Sequence, residues 1–375
     1  MGFRVVYTTG PPPLEPRTAV RLLSIIVLPL GALTLLPAAD PPKPALAPTP
    51  VTWNTSGKVL GEVCAGLSEQ SKIPISVAPA AIKTQCPVTF DKTPFWTALQ
   101  LTADKTRTRI ALSEGGRKVE LVPRGASQEV AVTNGAFRVV AQQVVGRSLL
   151  ELGATFHEVS LLVHWEPRVR VYRIDAAPRI SKVTDPTGAK ITAEDGAGKT
   201  LPTNSTSEMK VRLNGLTRKT EQITALTGEF TVTAADRLLA FAFDVPDGKL
   251  PDAQKQDGVS AVLKRVQKKG DSWEIAVEVN YPAGQPTFQS FEGEWWLRDN
   301  RLLLRSPDGK AVVLDDYEIP APDRATPLVV IHRYKEDPKN GFSAPTTKGW
   351  KLVYETPAPL VELKVPFELK GILLP

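Results

Sequence analysis

The sequence predicts an α+β protein: a small βαββαβ domain followed by a mostly antiparallel β-sandwich region of Ig-like type. Three observations predict it. A strand–turn–helix–strand pattern that starts at Val51 starts again at Pro87, and after Arg124 period-two apolar alternation replaces helical periodicity. The 375 residues also include 34 prolines, well above the roughly 5% of average usage and suited to linkers, turns and edge strands rather than helices. At 42% hydrophobic and 23% charged the chain can build a true core, and its length predicts roughly two to three domains.

Residues 1–39 read as a signal peptide or membrane anchor. Arg17 and Arg21 precede "LLSIIVLPLGALTLL", an apolar run of 15 residues from Leu22 to Leu36, and small residues follow in "PAAD". The run is shorter than the ~20 residues of a spanning helix, and Pro29 sits inside it. Export with cleavage near Ala38 or Ala39 is the expectation, and a membrane contact only if the segment is retained. Residues 40–50, "DPPKPALAPTP", hold five prolines in 11 positions and read as a stiff, extended linker.

The first 39 residues carry three arginines against Glu15, so their removal takes the net charge of +6 to about +4. Basic and acidic residues alternate along the rest. Such an evenly mixed surface gives no footprint for nucleic acid.

The repeated unit occupies 51–124. Val51-Thr52-Trp53 matches Val88-Thr89-Phe90, Leu60 and Val63 match Trp96 and Leu99, and Ile73 and Ile75 match Ile110 and Leu112. Val59, Val63 and Leu67 form one apolar stripe at helical spacing. Thr93 is a natural N-cap with Pro94 at the first helical position. Gly115-Gly116 then turns the chain into a final strand, "RKVELVP". Two βαβ halves follow from this order, their helices covering one face of a small sheet.

On these residues, "VTWNTSGKVLGEVCAGLSEQSKIPISV", "PVTFDKTPFWTALQLTADKT" and "RIALSEGGRKVELVP", the stretch 51–124 resembles the short N-terminal domain of bacterial secretins and TonB-dependent receptors or transducers. The resemblance covers about a fifth of the chain. It implies a periplasmic or cell-envelope location and a protein-binding rather than catalytic role for this domain. The chain departs from both parents after the domain, with no barrel-length strand series and no secretin-type pore region.

Two cysteines, Cys64 and Cys86, lie 22 residues apart within this unit. In an exported chain the pair reads first as a disulfide, stabilising by about 3 kcal/mol on the chain-entropy model. Two free buried thiols are the alternative. A redox centre is the poorest reading, because reactive pairs are usually closer in sequence, and two thiols with three scattered histidines do not make a metal set.

From 125 onwards the strands are clear. "HEVSLLVHW" puts Val159, Leu161, Val163 and Trp165 on one side, "SWEIAVEVNY" does so with Trp273, Ile275, Val277, Val279 and Tyr281, and "LVELKVPFELK" alternates Val361, Leu363, Val365, Phe367 and Leu369 with polar residues. Turn signals separate them, "DPTGAK", "EDGAGK", "KKGDS" and "PKNG" among others. The expectation is one β-sandwich region over 125–200 and a second over 201–375, divided near "GKTLPTNSTSE". Pro366 points to an edge position for the last strand.

Few residues invite chemistry. "EDGAGKT" ends like a phosphate loop, but Ala193 stands where the first glycine belongs, and a turn between strands is the wrong setting. His157, His164 and His332 lie in or beside strands without metal-helix spacing. His164, opposite in parity to Trp165, reads as a surface residue. Asp315-Asp316 and Glu292/Glu294 are acid pairs of the kind glycoside hydrolysis uses, with nothing to show that two of them face one cleft. Trp295 and Trp296, in "FQSFEGEWWLRDNRLLL", must point to opposite faces of a strand, so one of them is a possible partner surface. The sequence therefore points to a non-enzymatic exported envelope protein that binds an envelope partner or acts as a scaffold, without cofactor or metal. The alternative is a carbohydrate-active or other hydrolytic enzyme with its site in the β-sandwich loops.

Overall fold

The computed structural model describes residues 46–375 apart from 56, 126–128, 152, 218–219, 246–249, 283–298, 315 and 321–326. The expected leader 1–39 and the linker up to residue 45 lie outside the described residues. What is described is mostly β, in several sheets that are antiparallel except for one strand pair, with two α-helices. Neither helix is long and apolar enough to cross a membrane.

The N-terminal lobe runs β1 (Pro50–Trp53), α1 (Leu60–Ser71), β2 (Ile75–Val77), β3 (Phe90–Pro94), α2 (Phe95–Thr106), β4 (Thr108–Ser113) and β5 (Lys118–Pro123). Helix α1 starts where the Glu62 carboxylate accepts the Val59 N–H at 3.3 Å, and it buries Leu60, Val63, Cys64 and Leu67. Helix α2 follows Pro94 directly, so Thr93 stands one residue outside the cap expected of it. The strands do not join in one sheet. β1 pairs with β3, while β2, β5 and β4 form a separate three-stranded sheet with β2 parallel to β5. Val51, Leu60, Val63, Leu67, Phe95, Trp96, Leu99, Val119 and Leu121 fill a single core shared by both sheets and both helices.

The β region continues with β6 (Val130–Asn134), β7 (Phe137–Leu149), β8 (Ala154–Trp165), β9 (Arg170–Asp175) and β10 (Arg179–Thr184). Next are β11 (Thr192–Ala193), β12 (Lys199–Thr200), β13 (Thr206–Asn214), β14 (Gln222–Asp244), β15 (Asp252–Gln256) and β16 (Val259–Lys269). The chain closes with β17 (Ser272–Asn280), β18 (Arg301–Arg305), β19 (Ala311–Leu314), β20 (Tyr317–Glu318), β21 (Leu328–Tyr334) and β22 (Lys351–Leu373). Three sheets result, in the orders β11-β13-β8-β7-β6, β12-β9-β14-β22-β18-β19 with β10 also on β14, and β15-β16-β17-β21-β20.

β14 and β22 set the architecture. Each is 23 residues long, roughly 75 Å at strand rise, and they pair antiparallel in one unbroken register from Gln222↔Leu373 to Asp244↔Lys351. Side chains on a strand alternate between faces. Leu226, Phe230, Val232 and Ala234 are buried in one core, whereas Ala235, Leu239, Phe241 and Phe243 are buried in another. From Leu226 to Phe243 the even-numbered apolar positions thus face one core and the odd-numbered ones the other. On β22 the change of parity falls between Leu360 and Val361. Since Ala234 pairs with Val361 and Ala235 with Leu360, both strands switch their apolar face at the same level. The β14–β22 register does not shift there; the pattern of apolar residues inverts, while the neighbouring β9 shifts its register against β14 between Thr233 and Ala234.

One half of this ribbon is covered on one face by the β6-β7-β8-β13 sheet, through Val139, Val159, Leu161, Val163, Trp165, Met209 and Val211. The other half is covered on the opposite face by the β16-β17-β21 sheet, through Ala261, Leu263, Ile275, Val277, Val279 and Val330. A polar cluster pins the crossing point. Tyr172 of β9 donates to Asp299 Oδ2 at 2.7 Å, Tyr354 donates to Asn300 Oδ1 at 3.0 Å, and the Tyr281 and Thr356 hydroxyls meet at 2.6 Å.

This arrangement draws the division differently from a cut at residue 200. β13 pairs with β8 along Thr206–Leu213, and β14 pairs with β9, so 201–234 belongs with 130–200. The second lobe, 235–360, is nested between the two long strands whose other halves complete the first lobe. Pro366 does lie at a sheet edge: among the described residues this half of β22 pairs with β14 alone, and the Pro366 carbonyl accepts from Asn134 Nδ2 at 2.9 Å.

Because β14 and β22 belong to both cores, Phe230→Ala and Phe241→Ala, one in each, should each cost about 3–5 kcal/mol and lower the same unfolding transition. Calorimetry of the two variants checks this; two transitions moving separately would show independent lobes.

Candidate functional site

Among the described residues, a row of buried polar side chains lies at the joint between the N-terminal lobe and the β6-β7-β8 sheet. Cross-strand pairing puts Thr133, Arg138, His164 and Thr206 in one row on the outer face of that sheet, by the pairs Thr133↔Arg138, Arg138↔His164 and Thr206↔His164. Helix α2 lies across the row. Trp96 Nε1 donates to the Ala136 carbonyl at 3.1 Å, the Thr97 and Thr133 hydroxyls meet at 2.9 Å, and Arg138 Nε donates to Gln100 Oε1 at 3.0 Å. The Trp96 ring lies beside His164, centroids 6.3 Å apart.

Burial under α2 makes this row unusual. Arg138 is 1% exposed and His164 4%. Arg138 is neutralised by Glu129, whose Oε2 lies 2.7 Å from Nη2. His164 Nδ1 and Thr206 Oγ1 have no hydrogen-bond partner. Burial pushes the His164 imidazole down to about 3, with the Arg138 charge acting in the same direction. Burial also lowers the Arg138 guanidinium, against the pull of Glu129.

A second clasp holds the chain entering the lobe. Glu166, fully buried, accepts the Thr49 N–H at 3.0 Å and the Thr49 hydroxyl at 2.5 Å, and pairs with Arg168 Nε at 2.7 Å. Arg168 reaches on to the Ala47 carbonyl, and Leu46 packs into the first β core. The last residues of the expected linker are therefore docked. At the far side of the lobe the Ser205 N–H donates to the Gly115 carbonyl at 3.0 Å. Gly115 has φ +67°, and a Cβ there would meet the Asn204 side chain at 2.5 Å, so glycine is needed for this approach.

The residues singled out in the sequence fall elsewhere. Cys64 on α1 and Cys86 are both buried within the N-terminal core. They are neighbours: the Cys86 N–H donates to the Lys58 carbonyl at 3.0 Å, just before α1, and Val59 bridges to Gln85. Both are free thiols in the structure, so the expected Cys64–Cys86 bond is not formed there. Desolvation raises Cys64 to about 12, with Cys86 adding to it, and Cys86 to about 11. Protonated, buried sulfurs pack as small hydrophobes and have no nucleophilic thiolate to offer. Trp295, Trp296, Phe288, Phe291, Glu292, Glu294 and Asp315 lie outside the described residues. His164 corrects the surface reading, because α2 covers the parity that solvent was expected to reach. His332 is also buried, lowered to about 4 by desolvation, with Nδ1 against the Leu314 carbonyl at 3.0 Å. "EDGAGKT" runs from β11 to β12 without a helix, and Gly196, Gly198 and Lys199 line a cleft of about 910 Å³ with Arg173, Asp175, Arg179 and Asp195. A cleft of about 480 Å³ gathers Asp316, Asp337, Tyr334 and Phe342. Among the described residues no group of three or more histidine, cysteine or acidic side chains is placed to hold a metal ion.

Sequence reasoning missed the row at the joint. The signal was available in principle: Arg138 and His164 interrupt apolar strand segments, "FRVV" and "LLVHW", on the outward parity, where solvated polar residues are the ordinary reading. Compared with known proteins, the chain matches no family model, and no curated protein or solved structure matches it significantly.

Native thiol labelling reads the cysteines directly. The buried, protonated pair should resist iodoacetamide in the folded protein at pH 8 and take up two equivalents on unfolding without reductant. Rapid labelling of the folded chain would contradict the burial, and labelling only after reduction would show a disulfide.

Proposed function

We propose that the chain is a non-enzymatic, exported protein of the cell envelope that presents its N-terminal lobe to an envelope protein partner. In this reading the lobe is a βαββαβ domain of the secretin and TonB-receptor type, and the two β lobes are Ig-like sandwiches serving as a stiff spacer. The observation that carries the reading is the mounting of the lobe. It is clasped at Glu166, across α2 and at Ser205, against the β6-β7-β8-β13 sheet, which in turn covers one half of a ribbon roughly 75 Å long whose crossing point is pinned by buried hydrogen bonds. A spacer that holds a small α+β lobe in one orientation suits presentation to a partner better than turnover of a small substrate.

Two exposed apolar side chains on the lobe, Ile82 at 43% and Leu101 at 45%, give the test. Pull-down from envelope fractions with the full chain should recover a specific partner, and Ile82→Glu with Leu101→Glu should reduce recovery at least tenfold without changing stability by more than about 0.5 kcal/mol. Undiminished recovery would place binding on the β lobes instead.

A hydrolytic reading has one observation in its favour, the cleft that brings Asp316 and Asp337 beside Tyr334 and Phe342. Both carboxylates already have partners, Asp316 at 3.7 Å from Arg333 and Asp337 accepting from Asn340 Nδ2 at 2.6 Å. Glycan hydrolysis by the purified protein, abolished by Asp316→Asn, would make this the correct reading.

A further inference from the structure

We propose that the joint between the N-terminal lobe and the β6-β7-β8 sheet is an acid-sensitive clasp, which opens when His164 takes up a proton. Three features of the geometry carry this. First, the interface is polar where it is most buried: His164 Nδ1 and Thr206 Oγ1 have no hydrogen-bond partner in the docked protein, and Arg138, 1% exposed, meets Glu129 as a desolvated ion pair. Such atoms lose hydration while the lobe is docked and regain it when the lobe lifts, so opening recovers free energy that a dry apolar interface would not return.

Second, His164 is placed where a new positive charge has no counter-ion of its own. From β7 it meets Arg138, already a cation. The carboxylates nearby are committed. Glu129 pairs with Arg138 at 2.7 Å, and Asp104 of α2 pairs with Arg124 at 2.6 Å. Glu166, two residues along, is held by Thr49 and Arg168. From α2 itself His164 faces the Trp96 ring, and from β13 its neighbour is neutral Thr206. Protonation therefore puts two cations side by side in a site closed to water.

Third, the cost is relieved by separating the lobes and not by unfolding them, because α2 is the cover and belongs to a lobe with its own core. The sign follows from linkage. The docked imidazole sits near 3 against an ordinary value of 6.5, so docking is fully favoured above pH 6.5 and weakens steadily as pH falls towards 3. At pH 5 the docking equilibrium should be lower than at pH 7.5 by about 30-fold.

Two protons report docking directly: the Ser205 amide, bonded to the Gly115 carbonyl, and the Trp96 indole N–H, bonded to the Ala136 carbonyl. Hydrogen exchange of the full chain, corrected for the intrinsic pH dependence, should show protection at both falling about 30-fold between pH 7.5 and pH 5. Amides of β14 and β22 should keep their protection. His164→Gln keeps a polar side chain that cannot charge, and its protection should be the same at both pH values. Unchanged protection in the parent chain, or an equal loss in His164→Gln, overturns the proposal. If that variant does not dock at pH 7.5, titration of the His164 ring by NMR in the parent chain decides. A midpoint below pH 5 supports the clasp, and one near 6.5 refutes it.

Discussion

β14 pairs with β22 in a single register while the apolar faces of both strands invert at Ala234–Ala235 and Leu360–Val361. A strand has two faces and a period of two, so a sheet normally buries the same parity throughout its length. Here the two strands invert together, and the ribbon acquires two dry faces on opposite sides. Each face then demands its own covering sheet, which is why β6, β7, β8 and β13 gather on one side and β16, β17 and β21 on the other.

The nested order of the second lobe follows from the same pairing. The chain leaves the ribbon at Asp244, builds β15 to β21, and returns at Lys351 opposite the point of departure. Covering one half of a ribbon with residues that lie between its strands keeps the connections short. Edges left by the arrangement are blunted locally. Gln254 and Gln256 of β15 donate side-chain N–H groups to the Ala242 and Ala240 carbonyls. Asn134 does the same for Pro366, a residue that itself has no N–H to offer an incoming strand.

The joint is built on a different principle from the cores. The ribbon is held by apolar burial with few polar atoms, whereas the N-terminal lobe is held by directed bonds: Trp96 to Ala136, Arg138 to Gln100, Thr49 to Glu166, Ser205 to Gly115. Directed bonds fix an orientation, but a buried ion pair such as Arg138–Glu129 contributes little net stability after desolvation. The lobe is thus accurately placed and held by contacts that water can replace, a combination found at contacts between domains rather than within them.

Local pattern alone located both helices and the three alternating runs around Val159–Trp165, Ile275–Val279 and Val361–Leu369. Val159, Leu161, Val163 and Trp165 are buried on the side their alternation required, as are Ile275, Val277 and Val279, and the helix stripe of Val63 and Leu67 packs inward. These are short-range regularities of period two and 3.6, which neighbouring residues carry by themselves. Which strands belong together was not legible, because 201–234 joins 130–200 through pairings between residues far apart in the chain, and the parity switch matters only once β14 and β22 are known to be partners. The candidate site was hidden for the same reason. Arg138 and His164 stand where a one-layer reading puts solvent, and only the docking of α2 from another lobe turns their ordinary polar face into a buried one. Sequence spacing set the alternation of faces; what covers each face is decided by contacts between distant segments, and those exist only in the folded chain.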